Sequence, residues 1–459
     1  MSASCDLLVI GAGPAGLAAA STAAKRGVDV TLMDEQVAPG GQIHRAMESR
    51  AFKAESVSRA DDERGVALVA EFRASGSRYQ PGTQAWQMQA DGKVYVTDGA
   101  RARVITARRV IIAAGAIERA VPIPGWTLPG VMTVGAAQIR LKTITYKPPA
   151  ETWLAGSGPL LWLYAAQVIE AGGHIAGILD TTPGSNRMRA LRHIGGALGH
   201  VAYLKRGLTL QRRVRAAGVL VVNHVEALEA RGEGCVQSVR YCVKGDWREA
   251  PAALLLLHQG VIPHTHATRA LGAEHHWNVL QRCFVPNLDS WGNTSIESYA
   301  AAGDCTGIVG AEASLLQGHI AALEAARALG KLTPAQRDEL AAPHFAHLWR
   351  HLAARRFLDA LFAPRASLLN PADDVVVCRC ESVTAKQIRD AVVLGAMGPN
   401  QVKAFTRCGM GPCQGRLCGL AAAEILAAAR GKSMQETGVF KVRAPLKPLS
   451  LSELAALEE

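Results

Sequence analysis

The segment from Leu7 to Asp34 leaves the chain little freedom of fold. Leu7-Leu8-Val9-Ile10 is a short apolar run of the kind that forms a buried parallel strand. Gly11-Ala12-Gly13-Pro14-Ala15-Gly16 follows at once. An Ala-rich helical stretch runs from Leu17 to Arg26, Gly27 stops it, and a second strand, Val28–Met33, ends at Asp34. This is a βαβ unit, and each glycine in it has a mechanical task. Gly11 permits the tight turn, Gly13 lets the backbone approach a pyrophosphate, and Gly16 lets the helix sit against the strand. Pro14 and Ala15 belong to the same cofactor-binding turn, and the helix N-terminus after it offers free N–H groups to the phosphates. Asp34, 18 residues after Gly16, is placed to bond a ribose hydroxyl, with neighbouring Glu35 as the substitute. Leu7–Ala24 is 18 residues without a charge, long enough to resemble a membrane span. Its Gly and Pro interruptions fit the phosphate turn instead, so no transmembrane segment is expected.

A degenerate copy of the unit begins at Thr152. Thr152-Trp153-Leu154-Ala155 leads into Gly156-Ser157-Gly158-Pro159-Leu160-Leu161, a helix runs to Ala171, Gly172-Gly173 stops it, and the strand Ile175–Leu179 ends at Asp180. Gly156, Gly158 and Asp180 form a second candidate nucleotide site, and an acid at 180 favours a free ribose hydroxyl over a phosphate. The third glycine is replaced by Leu161, whose bulk should push the helix from the strand. Arg187, Arg189 and Arg192 stand at a distance and read as surface charge.

Composition narrows the class. At about 150 residues per domain, 459 residues suggest roughly three domains. With 49% apolar and 19% charged residues the chain is neither disordered nor collagen-like. The net charge is +11, but no aromatic-basic interleaving accompanies it, which argues against nucleic acid as a partner.

Half of the ten cysteines fall between Cys378 and Cys418. A long chain with no basic n-region does not suit a secreted disulfide scaffold, so a reduced, cytoplasmic protein is expected. Cys5, Cys235, Cys242, Cys283 and Cys305 read as ordinary thiols, and His264 and His266 as part of a polar loop rather than a metal pair. After the polar turn at Asn370-Pro371, Cys378-Arg379-Cys380 and the loop carrying Cys408, Cys413 and Cys418 bring paired cysteines together from two places. Four thiolates can hold zinc or an iron–sulfur cluster, and spacing alone does not choose.

Resemblance adds to this. The glycine turn, Pro39-Gly40-Gly41-Gln42, Ala113-Ala114-Gly115 and Ala302-Gly303-Asp304 together resemble the two-dinucleotide-binding-domain flavoproteins that include thioredoxin reductase. The resemblance implies FAD, with Gly41 and Gln42 near the flavin, a close backbone approach at Ala114 and Gly115, and Gly303 and Asp304 on its ribityl and pyrophosphate. The usual Ala-Thr-Gly is here Ala113-Ala114-Gly115. The second site would take NAD(H), another adenine nucleotide, or nothing. Cys-x-Cys followed by Gly-Met-Gly-x-Cys-Gln-Gly-x-x-Cys resembles the bacterioferritin-associated-ferredoxin-like [2Fe-2S] module. That implies Cys378, Cys380, Cys413 and Cys418 as ligands, with Cys408 as the surplus thiol and alternative ligand.

The order of parts, with the segment Gly115–Met132, resembles the α subunits of heteromeric amino-acid dehydrogenases such as opine oxidase, hydrogen cyanide synthase and D-hydroxyproline dehydrogenase. The fold implied is α/β: two Rossmann-like three-layer dinucleotide-binding domains, thioredoxin-reductase-like, plus a small C-terminal α-rich [2Fe-2S] domain. Residues 1–147 and 284–333 would form the FAD-binding domain, 148–283 the second nucleotide domain, 334–371 a helical linker, 372–435 the [2Fe-2S] domain and 436–459 a tail. The implied partners are a D-amino-acid-oxidase-like β subunit with its own FAD, a small ferredoxin-like γ subunit, and a quinone as acceptor. The implied location is cytoplasmic, with a peripheral position at the inner membrane as the variant. No residue stands out as a general base, which fits a subunit whose task is electron transfer. The competing readings are a self-contained NAD(P)H-dependent reductase and a nucleotide-binding scaffold.

Overall fold

The computed structural model describes residues 3–47 and 59–457. The strand Ala3–Ile10 lies inside a seven-stranded sheet, parallel to Val30–Met33 (Leu7 opposite Val30) and to Ala102–Ile112 (Val9 opposite Ile111). Val30–Met33 is buried at every position, as a strand covered on both faces requires. Helices Pro14–Ala24 and Ala311–Ala328 pack together through small residues; a Cβ on Gly318 would fall 2.2 Å from the carbonyl oxygen of Ala15. Ala15, Ala19, Ala322 and Ala326 all belong to one core.

The long strand Ala102–Ile112 serves twice. Its first half pairs antiparallel with Lys93–Thr97, and its last residues pair in parallel with Tyr299–Ala301, which brings the chain back after the second domain. The second sheet has five parallel strands, in the order 220–222, 177–180, 152–157, 254–259 and 131–133. A three-stranded antiparallel sheet, Ala227–Arg231, Ser238–Val243 and Asp246–Pro251, is attached to it.

The expected boundaries at 147/148 and 283/284 both move. Val131–Thr133 already pairs with Leu254–Gln259, so the second domain begins before Val131. Val261–Pro263 pairs with Ala116–Glu118 where the chain enters and leaves, and Ala267 lies in the core of the first domain, so the exit comes before His266. Three-residue strands are too short to show a hydrophobic period, which is why the sequence places both edges too late.

The segment 334–371 is more than a linker. Thr333 and Gln336 cap the helix Pro334–Leu361, which lies along Ala311–Ala328 and against Ser185–Leu191 and Ile194–Leu198. A Cβ on Gly196 would fall 2.4 Å from the carbonyl oxygen of Ala353. The C-terminal domain is α-rich, with helices Ala385–Val393, Pro399–Thr406 and Gly419–Arg430 around Val377, Ile388, Val402 and Ile425. The expected tail is integral to it, because Phe440 covers Gly409, Gly415 and Gly419. Beyond Phe440 the chain crosses to the first domain. Leu446 enters its core and its N–H donates to the Trp86 carbonyl at 2.8 Å. Among the described residues no helix is long and apolar enough to cross a membrane.

Candidate functional site

The first phosphate turn is built as its glycines suggest, and space around each Cβ separates their tasks. Gly11 has φ +108°, and a Cβ there would lie 2.4 Å from the Ala113 carbonyl oxygen; one on Gly16 would lie 1.7 Å from the Gly11 carbonyl oxygen. Gly13 is different, because the nearest atom to its added Cβ is the Gly41 Cα at 4.0 Å. Gly11 and Gly16 are thus required by packing, while Gly13 leaves open the space a pyrophosphate would need. Pro14 begins the helix, and Ala15 lies under Gly303, whose added Cβ would meet its methyl at 2.9 Å. Gly41, at φ +61°, brings the second glycine loop onto Gly13.

Asp34 accepts from the N–H of Ala12 at 2.5 Å and of Gln36 at 2.7 Å, so it fixes the turn from the end of the second strand. Glu35 points to the surface and pairs with Lys447 of the crossing tail. Gln42 is exposed and accepts from Arg45. Asp304 accepts from the N–H of Val309 and Gly310, both at 2.8 Å, at the start of the helix Ala311–Ala328. Gly115 has φ +68° with no atom within 4 Å of an added Cβ, so the backbone at Ala114-Gly115 borders open space. Open glycines at 13 and 115, with two helix N-termini beside them, fit a flavin dinucleotide. Sequence reasoning missed Gln317, which accepts from the Gly303 N–H at 2.9 Å. It lies mid-helix with no motif to mark it.

All five C-terminal cysteines converge. The sulfurs of Cys378, Cys408 and Cys418 lie within 4.8 Å of one another, and all three residues are buried. Cys380 and Cys413 are adjacent nearer the surface. Cys408, the surplus thiol by resemblance, therefore stands inside the buried trio. Hydrogen bonds from Cys408 and Cys418 pull the Cys378 thiol down to about 2, and the same contact pushes Cys408 up to about 12. Three sulfurs thus share hydrogen bonds among themselves, a donor set that would release protons on taking up a metal. A Cβ on Gly411 would fall 2.2 Å from the Cys380 Cβ, so the loop must be glycine there. The donor set and this cradle fit an iron–sulfur cluster. Elsewhere burial pushes Cys5 and Cys305 up to about 11 and Cys283 up to about 12, which leaves them protonated and inert.

His264 and His266 lie between the two centres. The His264 N–H donates to the Gly115 carbonyl at 3.0 Å, and His266 Nε2 lies 3.3 Å from the Gln414 carbonyl oxygen, one residue from Cys413. Burial holds both rings neutral, His264 at about 4 and His266 at about 3. His264 Nε2 has no protein partner. The cysteine domain is locked to this region by ion pairing: Arg282 donates to Glu424 at 3.0 Å, while buried Arg119 donates to the carbonyls of Gln281 and Arg282. Trp126, in the segment Gly115–Met132, donates to the Val376 carbonyl at 2.6 Å.

The second phosphate turn is closed. Gly11, Gly13 and Gly41 are partly open, whereas Gly156, Ser157 and Gly158 are all buried. Ser157 Oγ donates to the Phe362 carbonyl at 3.3 Å. Asn186 Nδ2 donates to the carbonyls of Leu361 and Ala363 at 3.1 and 2.9 Å, and Arg365 to that of Thr181 at 3.3 Å. The chain leaving the helix Pro334–Leu361 therefore lies over the turn. Beneath it His258 meets the Glu118 carboxylate at 2.7 Å and approaches Gly158. Asp180 accepts from the Thr182 N–H at 2.9 Å within its own loop. Leu161, in the place of the third glycine, is absorbed into the core beside Leu154.

Residues 5–178 match the pyridine nucleotide-disulphide oxidoreductase family, and residues 375–458 match the sarcosine oxidase A3 domain. An opine oxidase subunit from Rhizobium meliloti (strain 1021) is 41% identical over 99% of both chains. The HcnB subunit of hydrogen cyanide synthase from Pseudomonas aeruginosa is 31% identical over 97% of both. Among solved structures, L-proline dehydrogenase from P. horikoshii superposes with a TM-score of 0.71 at 20% identity, covering 99% of this chain and 80% of that one.

Proposed function

The chain belongs to the α-subunit family of heteromeric flavin-dependent amino-acid oxidases, and from that premise we propose that it relays electrons within a complex oxidising the C–N bond of an amino acid, imino acid or opine. It is a flavin-dependent oxidoreductase subunit with an FAD-binding fold. The oxidation itself takes place on a D-amino-acid-oxidase-like β subunit with its own FAD, the complex includes a ferredoxin-like γ subunit, and a quinone takes the electrons finally. The whole works at the cytoplasmic side.

The observation that carries this reading is the placement of the cysteine cluster. His266 contacts Gln414, one residue from Cys413 of the cysteine cluster, and the backbone N–H of His264 donates to the Gly115 carbonyl at the open turn. Cys378, Cys380, Cys413 and Cys418 are the proposed [2Fe-2S] ligands, with Cys408 as the alternative. When bound, the cluster passes single electrons and the flavin pairs, so together they can split or gather electrons. The chain's part is to hold the two groups at a fixed separation. Gly11, Gly13, Pro14, Ala15 and Gly16 seat the flavin's pyrophosphate with Asp34 behind them, and Gly41, Gln42, Ala114, Gly115, Gly303 and Asp304 border the rest.

The cover over Gly156, Ser157 and Gly158 supports reading the second fold as closed to NAD(H) and to other adenine nucleotides. Electrons then enter from the cluster side. Two experiments test this. Cys413→Ser should abolish the cluster's EPR signal and most amine-driven turnover; intact turnover would favour the scaffold reading. NADH added anaerobically should leave the flavin oxidised; rapid bleaching would favour a self-contained reductase.

A further inference from the structure

Asp180 and Glu226 bound a stretch without a single acid: residues 181–225 hold eight Lys or Arg and no Asp or Glu. Set against a net charge of +11 for the chain, this one segment carries most of the excess. It is the crossover between two adjacent parallel strands, Gly177–Asp180 and Leu220–Val222. A single helix would make that connection. Here three helices do: Ser185–Leu191, Ile194–Leu198 and Val201–Ala216.

The last of these packs inward through Leu210 and Val214, with Tyr203 and Gly207 half-buried on the same side. The opposite stripe, at helical spacing, carries Val201, Lys205, Leu208, Arg212 and Arg215, all exposed. The shorter helices add exposed Arg187, Met188, Arg189, Leu191 and Arg192. Met188 is 70% exposed, Leu198 61% and Leu208 53%. Among the described residues Arg187, Arg189, Arg192, Lys205, Arg212 and Arg213 make no ion pair. By contrast, Arg206 pairs with Asp61, and Arg215 lies over the Trp162 ring.

We propose that this three-helix face docks the protein onto an anionic lipid bilayer. Unpaired cations on an acid-free surface match a sheet of phosphates, each worth on the order of a kilocalorie at the membrane. A protein interface gathers its apolar residues into a core and leaves charge to the rim. This face interleaves them, so that each apolar side chain has a long cationic neighbour. On a bilayer, arginines reach the headgroups while Leu and Met side chains enter just below. A lipid-borne acceptor would then lie on the surface to which the complex is held.

The test is sedimentation of the purified complex with vesicles of phosphatidylcholine alone or mixed with phosphatidylglycerol. Binding should require phosphatidylglycerol and disappear at high salt, where screening reaches only a few ångströms. R189E/R212E should weaken the partition by roughly tenfold or more, and L208S should lower the part that survives moderate salt. Both sites are exposed, so flavin content and turnover with a soluble dye should be unchanged. Three results overturn the proposal: no dependence on phosphatidylglycerol, equal binding by R189E/R212E, or protection of residues 187–215 from hydrogen exchange by another chain of the complex while vesicles fail to bind. The last would assign the face to an acidic protein partner.

Discussion

Replacing Glu424 by Leu should loosen the cysteine domain from the rest of the chain. The Glu424 side chain is only 6% exposed and accepts from Arg282 at 3.0 Å. Burial raises its pKa, with Arg119 and Arg282 opposing the shift. Arg119 is itself buried, its ordinary pKa lowered by desolvation, and its Nε has no partner. One carboxylate thus compensates two cations across the domain junction. Removing one member of a buried pair costs about 3–5 kcal/mol. Arg282 is 37% exposed and can turn to water, whereas Arg119 cannot, so the lower end applies, about 3 kcal/mol. That is roughly a hundredfold rise in the open population. Because Glu424 lies on the helix that follows Cys418, the opening would move the cysteine loop away from the flavin-binding fold. Native-state hydrogen exchange of the holoprotein measures it directly, through the amides of Gly419–Arg430. In a double-mutant cycle with Arg282→Met, the coupling should reach at least about 1 kcal/mol. Exchange in the Leu variant within about 0.5 kcal/mol of the parent, or full additivity of the two changes, would refute this account of the junction.

Other expectations follow from the same geometry. Gly13→Val should fold and melt near the parent yet purify without flavin, while Gly16→Val should fail to fold; equal flavin content in Gly13→Val, read by absorbance, would remove Gly13 from the pyrophosphate site. Acid should destabilise the protein through buried neutral histidines. Burial lowers His275, His319 and His351 to about 4 from 6.5, so the unfolded chain takes up protons first as pH falls. Stability is therefore full above pH 6.5 and drains between 6.5 and 4, by on the order of 1–2 kcal/mol per histidine. Urea midpoints across that window measure it, and His319→Leu should flatten the slope. Asn186→Ala removes two hydrogen bonds to the segment over the second turn, about 1–2 kcal/mol in all, and should hasten proteolysis at 361–365; unchanged cleavage would show that packing alone holds the cover.

The sequence was most legible where backbone geometry dictates residue type. Gly11 and Gly16 face carbonyl oxygens that no Cβ could tolerate, so the turn reads directly from the string. Thr384 likewise caps the helix Ala385–Val393, with Gln387 three residues on returning the bond. Contacts between segments distant along the chain left no such mark. Nothing local to Leu361-Phe362-Ala363 says that its carbonyls would be bound by Ser157 and Asn186. Nor does Cys408 announce that it closes on Cys378 and Cys418 rather than standing apart. Glu118 and His258, 140 positions apart, meet only because two strands converge under Gly158.

The cysteine domain is fastened on both sides. Before it, the segment 361–365 is pinned to the second nucleotide fold; after it, Leu446 sits in the first domain's core, Lys447 pairs with Glu35 and Glu453 accepts from Thr97. A carrier on a single flexible tether can shuttle, loading at one station and unloading at another, and its rate then depends on diffusion. Two anchors on different domains forbid that swing. On the proposed relay the cysteine seat would be a fixed post, the electron would tunnel across a constant gap, and solvent viscosity should leave the rate of transfer within this chain unchanged.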